Sequence, residues 1–171
     1  MFKLILMRHA KSDWHNQMSD IDRPLNDRGR RDAIRMGAYL EDKGWVPDRM
    51  VVSSAERTQE TARLLLQNLS LAEKNIIIDK SLYLADIETL CDNIALYANE
   101  GQRLLVLAHN PGMDYLVSYL ASSAPPLSDS GKLMTTCAAA CFDMRSLEVL
   151  KKPGGGELQS LIRPKEIADK E

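Results

Sequence analysis

Leu4-Ile5-Leu6-Met7 is an unbroken apolar run, and it stops at Arg8-His9. A run this short and this continuous fits one strand buried on both faces of a sheet. A buried strand does not hold a guanidinium and an imidazole in its interior without partners. The two therefore belong where the strand ends and the backbone leaves the core. In open α/β sheets that carboxyl edge is where ligands bind.

The same arrangement recurs along the chain. Met50-Val51-Val52-Ser53 reads as a second strand that runs into a helix opening at Ser54-Ala55-Glu56-Arg57-Thr58, with Ser54 as N-cap. Asn75 to Ile78 is a third strand, and Asp86 caps a helix from Ile87 to about Ala98. Arg103 to Ala108 is a fourth strand that ends in His109-Asn110-Pro111-Gly112, with Asn110 as N-cap and Pro111 at the first helical position. Between the first and second strands, a polar stretch of about fifteen residues after His9 reads as a functional loop. Asn26 or Asp27 then opens a helix whose apolar stripe is Ala33, Ile34, Gly37, Tyr39 and Leu40, closed by Gly44. Thr135 to Met144, Ser146 to Leu150 and Glu157 to Ile162 read as further strands, and Arg163 to Glu171 as a frayed, charged tail.

Strands alternating with helices predict a three-layer α/β/α sandwich with a mostly parallel sheet. The 171 residues fit one domain over 1–171. Carboxyl ends of parallel strands share one rim, so Arg8, His9, Arg57 and His109 are predicted to converge there across about a hundred residues of sequence. Each taken singly has a plainer use, as a surface charge, an ion-pair partner or a structural imidazole. Their joint placement is what points to a site.

Composition narrows the partners. A net charge of -2 and a pI near 6.0 argue against general nucleic-acid binding. No apolar run is long enough to span a bilayer. Three cysteines give no disulfide framework, and Cys137 and Cys141 lie in an apolar stretch without a nearby His. They read as reduced and buried, in a cytoplasmic protein.

Two guanidinium forks and two helix N-termini, at Ser54 and Asn110, make an anion pocket whose natural occupant is phosphate. A neutral His9 could attack phosphorus in line, with Arg8, Arg57 and His109 neutralising the equatorial oxygens. That chemistry needs no metal, and the sequence holds neither a carboxylate cluster with metal-ligand spacing nor a Gly-rich phosphate loop.

Met7-Arg8-His9-Ala10 resembles the Arg-His-Gly signature of the histidine phosphatase superfamily, which has the phosphoglycerate mutase-like fold. Ser53 to Ala62 resembles its second motif and Leu107 to Gly112 its third; Arg23-Pro24-Leu25 and Arg28-Gly29 are also similar to the family. Ala10 in place of Gly, Lys11-Ser12 and the short chain are similar to the small SixA-type phosphohistidine phosphatases. The resemblance implies that His9 is the phosphorylated nucleophile, that Arg8, Arg57 and His109 bind the phosphoryl group, and that no cofactor is needed. Larger relatives carry a Glu general acid in an inserted segment after the third strand. Here that connection is short, and Asp86 is the candidate proton donor, although it fits a helix cap better; Asp13 is the alternative.

Without a firm acid, a leaving group must depart unaided. An imidazole, with a pKa of about 6.5, does so far more easily than an alkoxide. The substrate expected is therefore protein phosphohistidine, carried by a phosphorylated partner such as a signalling domain. A small phosphorylated substrate, hydrolysed or handled by a mutase, is the alternative, and a non-catalytic phosphate-binding module is the alternative of another class.

Overall fold

The computed structural model describes residues 1–15 and 17–167. Its centre is a six-stranded sheet in the order β3-β2-β4-β1-β5-β6, formed by β1 (Phe2–Arg8), β2 (Arg49–Ser53), β3 (Ile76–Asp79), β4 (Arg103–Ala108), β5 (Ala139–Met144) and β6 (Gly156–Ile162). The first four run parallel, β5 pairs antiparallel with β1, and β6 pairs antiparallel with β5. Four helices, α1 (Asp27–Asp42), α2 (Glu56–Leu65), α3 (Ile87–Tyr97) and α4 (Gly112–Leu120), cover it.

The apolar runs explain both layers. Successive side chains of a strand point to opposite faces, so a continuous run serves two cores. Leu4 and Leu6 of β1, with Val51, Leu104 and Val106, pack against Leu90 and Ile94 of α3 and Met113 and Leu116 of α4. Ile5 and Met7, with Val52, Leu105 and Leu107, pack against Ala33, Met36 and Leu40 of α1 and Ala62 and Leu65 of α2. This is the expected three-layer sandwich. No helix among the described residues is long and apolar enough to cross a membrane.

Several local expectations are corrected. Ser146 to Leu150 is not a strand; Leu147–Lys151 is a 3₁₀ turn inside the β5–β6 connection, where Leu150 alone is buried and its carbonyl accepts from the Tyr119 hydroxyl at 2.8 Å. β5 begins at Ala139 rather than Thr135, because Cys137 has φ 63° and turns its N–H onto the carbonyls of Arg8 (3.1 Å) and His9 (2.9 Å). Helix α2 opens at Glu56 with Ala55, not Ser54, as its N-cap. Helix α4 opens at Gly112, although the Asn110 side chain still accepts from the N–H of Asp114 at 3.1 Å. The tail is docked over its first residues. Arg163 is buried, donating from Nε to the Leu133 carbonyl at 3.0 Å and from Nη2 to the Pro126 carbonyl at 2.5 Å. The rest of that tail, 168–171, lies outside the described residues.

The long loop after His9 is clasped at its base. Asn26 N–H donates to the Lys11 carbonyl at 3.0 Å, and Asp13 N–H to the Pro24 carbonyl at 2.8 Å. Gly29 in the first turn of α1 is required there, since a Cβ would lie 2.1 Å from the Lys11 oxygen.

Candidate active site

β4 lies between β1 and β2, and the ends of these three strands deliver the site. Arg8 closes β1 beside Ala108 of β4, and His9 N–H donates to the Ala108 carbonyl at 3.2 Å. Ser53 closes β2, and Arg57 follows one turn later on α2. The two imidazoles lie with ring centroids 5.3 Å apart, and Arg57 bridges them. Its Nε donates to His9 Nε2 at 3.3 Å and its Nη2 to His109 Nδ1 at 3.3 Å. The sequence-predicted quartet is thus brought together around one cavity of about 190 Å³.

The bonds fix the tautomers. A guanidinium only donates, so His9 Nε2 and His109 Nδ1 both accept. His9 Nδ1–H therefore donates to the Ala10 carbonyl at 2.7 Å, and His109 Nε2–H donates to Ser53 Oγ at 2.7 Å. Ala10 is held in turn, its N–H on Thr61 Oγ1 at 3.0 Å. The lone pair needed for attack is thus on Nε2, where it accepts the long bond from Arg57 Nε that an incoming phosphoryl group would displace. Its pKa is pushed down to about 3, chiefly by burial, with His109, Arg57 and Arg8 adding to the fall against the Ala10 bond. Burial and the Arg57 charge push His109 down to about 4. Both rings are neutral at pH 7.

Acid should therefore destabilise the fold well before the imidazoles protonate in place. The folded pKa values lie below the unfolded value of about 6.5, so the unfolded chain binds more protons through that window. Stability is full above about pH 6.5 and falls as pH drops towards 3 to 4. Denaturant midpoints at pH 7 and pH 5 measure this, and NMR titration should show both rings still neutral at pH 5. A ring that titrates near 6.5 would contradict the buried geometry.

Four contributing residues were not singled out from the sequence as site residues. Asp20, in the 3₁₀ turn Asp20–Asp22 of the long loop, takes Arg57 Nη1 on its carbonyl at 2.6 Å and Arg57 Nη2 on Oδ2 at 3.0 Å. The Tyr83 hydroxyl donates to the same Oδ2, and Arg23 Nη1 lies 3.1 Å from Oδ1. Tyr83, then Arg57, hold the Asp20 carboxyl below its ordinary range. Arg23 is buried, stacks 3.5 Å over the Trp14 ring and donates from Nε to Ser12 Oγ at 3.1 Å. Ser53 orients His109, and the Tyr83 ring meets His109 edge-on at 5.5 Å. Of these, Arg23 carried a sequence signal in its place before Pro24, and Ser53 one in its place at the strand end and the start of the second motif. Arg8 donates from Nη1 to the Met134 carbonyl at 3.1 Å and leaves Nε without a partner.

The structure does not bring Asp86 to the cavity. It is exposed and caps α3, its carboxylate accepting from Thr89 N–H at 2.9 Å. That bond holds its pKa down, which is the wrong direction for a proton donor. Asp86→Ala should lower the melting temperature through loss of the cap and leave turnover unchanged; a large loss of turnover in Asp86→Asn would restore it as an acid. Asp13 accepts from His15 N–H at 2.8 Å. Among the described residues, no cluster of His, Cys, Asp and Glu could hold a metal.

Comparison with known proteins bears on the family and the fold. Residues 4–83 match the histidine phosphatase superfamily (branch 1). An uncharacterized chloroplastic protein of Arabidopsis thaliana is 30% identical over 95% of this chain and 78% of its own length. A 2,3-bisphosphoglycerate-dependent phosphoglycerate mutase of Streptomyces avermitilis is 37% identical over 70 residues, which span 39% of this chain and 28% of the mutase. The protein histidine phosphatase SixA, solved with tungstate, superposes with a TM-score of 0.78 at 24% identity, over 95% of this chain and 97% of its own. The chain belongs to the histidine phosphatase superfamily. It is an enzyme of that superfamily's phosphatase or mutase class.

Proposed function

We propose that the chain is a phosphatase that removes phosphate from protein phosphohistidine, with His9 Nε2 as the nucleophile. Nε2 attacks phosphorus in line, the bond from phosphorus to the substrate nitrogen breaks, and the departing imidazole takes a proton from solvent. Water then attacks the phosphorylated His9, inorganic phosphate leaves, and the lone pair returns to Nε2. Arg8 and Arg57 hold the three equatorial oxygens, whose charge is what phosphoryl transfer requires to be neutralised. His109 lies against Arg57, 5.3 Å from His9 between ring centroids, and adds a donor to the same oxygens when the bound dianion raises its pKa.

One observation carries the substrate class. Among the described residues lining the cavity there is no carboxylate, since Asp86 is spent as a cap and Asp20 is locked onto Arg57 and Tyr83. A leaving group with a low pKa suits such a site. The mouth also suits a protein. Trp14 and Leu84 line it at 68% and 58% exposure, and Leu84 is held at φ 52°, a conformation that bulky residues adopt only under constraint. The SixA structure holds an oxyanion, tungstate, on the same fold.

The test compares kcat/KM for a phosphohistidine protein and for alkyl phosphomonoesters. A preference of about 10²-fold or more for phosphohistidine is expected, the order of a missing general acid. Faster turnover of the alkyl ester would overturn the reading.

A further inference from the structure

Next to the phosphoryl cavity lies a second, larger one of about 500 Å³, and the two share Arg8, Lys11 and Thr136 as walls. Its rim carries Arg8, Lys11, Arg28, Lys132, Arg163 and Lys165. Among the described residues, its carboxylates are Asp129 and Glu166. For a chain of net charge -2, this is a marked segregation of positive charge.

The cations differ in what they have left to bind. Arg163 is consumed by the Leu133 and Pro126 carbonyls and by Glu166, at 3.1 Å, and Arg28 lies 3.7 Å from Asp32. Among the described residues Lys11, Lys132 and Lys165 make no salt bridge within 4 Å, although Lys165 also acts as a charge on the Asp32 carboxylate. What remains is a set of flexible point charges around a roomy cavity. A second phosphate is best met by a converging guanidinium fork, whereas dispersed ammonium groups match carboxylates spread along a chain.

We propose that this basin is a second subsite of the same active site, and that it takes the carboxylates of an acidic segment flanking the phosphorylated residue of a protein substrate. The proposal rests on the phosphohistidine reading above and adds a recognition element to it. Acidic neighbours steer the substrate to the rim and set its orientation while the phosphoryl group drops between Arg8 and Arg57.

The test uses two phosphohistidine peptides of equal length, one flanked by Asp and Glu, the other by Asn and Gln. Their affinities are measured on His9→Ala protein, which binds without turnover, and on the same protein carrying Lys132→Ala and Lys165→Ala. Both lysines are exposed, so the fold is not at stake. The acidic peptide should bind about tenfold tighter, the difference shrinking as salt rises, and the lysine pair should bring the ratio near one. Equal affinities on His9→Ala protein, or a ratio that survives loss of both lysines, would overturn the basin. Turnover by wild-type protein is read separately. Hydrolysis of both peptides with no acidic preference sinks the basin alone. A lysine-dependent preference in binding without hydrolysis of either peptide supports the basin and sinks the reaction assigned above.

Discussion

His9→Ala protein should fold, bind an oxyanion such as vanadate, and lose turnover by about 10⁴-fold or more, the order seen when a nucleophile is removed. The imidazole contributes little that the fold depends on. It makes one bond to the neighbouring Ala10 carbonyl and accepts one long bond from Arg57. Its burial is a cost that alanine does not carry. A buried donor left without its acceptor costs about 1–3 kcal/mol, here the Nε of Arg57, which keeps its contacts to Asp20 through the other nitrogens. A fall in melting temperature of a few degrees is the expected size for a chain this long. Rates on a phosphohistidine substrate and a thermal melt measure both. Turnover within tenfold of wild type would mean that another group attacks phosphorus.

Arg57→Lys should cost about 10³- to 10⁵-fold in kcat, the range found when a transition-state arginine is lost. Arg57 is the hinge pin of the site. One planar fork meets His9 Nε2, His109 Nδ1, and both the carbonyl and the carboxylate of Asp20. An ammonium carries the same charge but only three donors at one point, and it cannot span these acceptors. With the fork gone, the two rings lose their common donor, and the Asp20 carboxyl loses one of the partners that keep its pKa low. The Arg57→Lys protein should therefore show a raised Asp20 pKa by NMR alongside its lost rate. A near-normal kcat would show that charge alone suffices.

The sequence carried the parts of the site that strands place. Arg8, His9 and His109 sit where apolar runs stop, and a strand delivers its next residue to the rim whatever the surrounding loops do. Caps with a side-chain signature were legible too. Asn26 accepts from Gly29 N–H and Asp86 from Thr89 N–H, as their spacing implied. Asp20, Arg23 and Tyr83 were not legible as site residues. Their roles depend on how the loop after His9 folds back over Arg57, and a polar loop has no period from which to read that path. Ser53 was hidden differently: the sequence placed it at the strand end, while its bond to His109 arises only because β4 lies beside β2. The start of β5 and the stretch 146–150 misled because a run of apolar residues alone does not tell a strand from a turn that packs. The docked Arg163 looked like a surface charge because its acceptors are distant carbonyls.

The most direct measurement is to quench the enzyme within milliseconds of adding a ³²P-labelled phosphohistidine protein and to map any phosphate left on the chain. A label that acid removes and base does not, on Nε2 of His9 and at no more than one per chain, is the predicted result, since Nδ1 is tied to the Ala10 carbonyl. A label on Nδ1 or on any other side chain, or rapid turnover with no protein-bound phosphate at all, would contradict it.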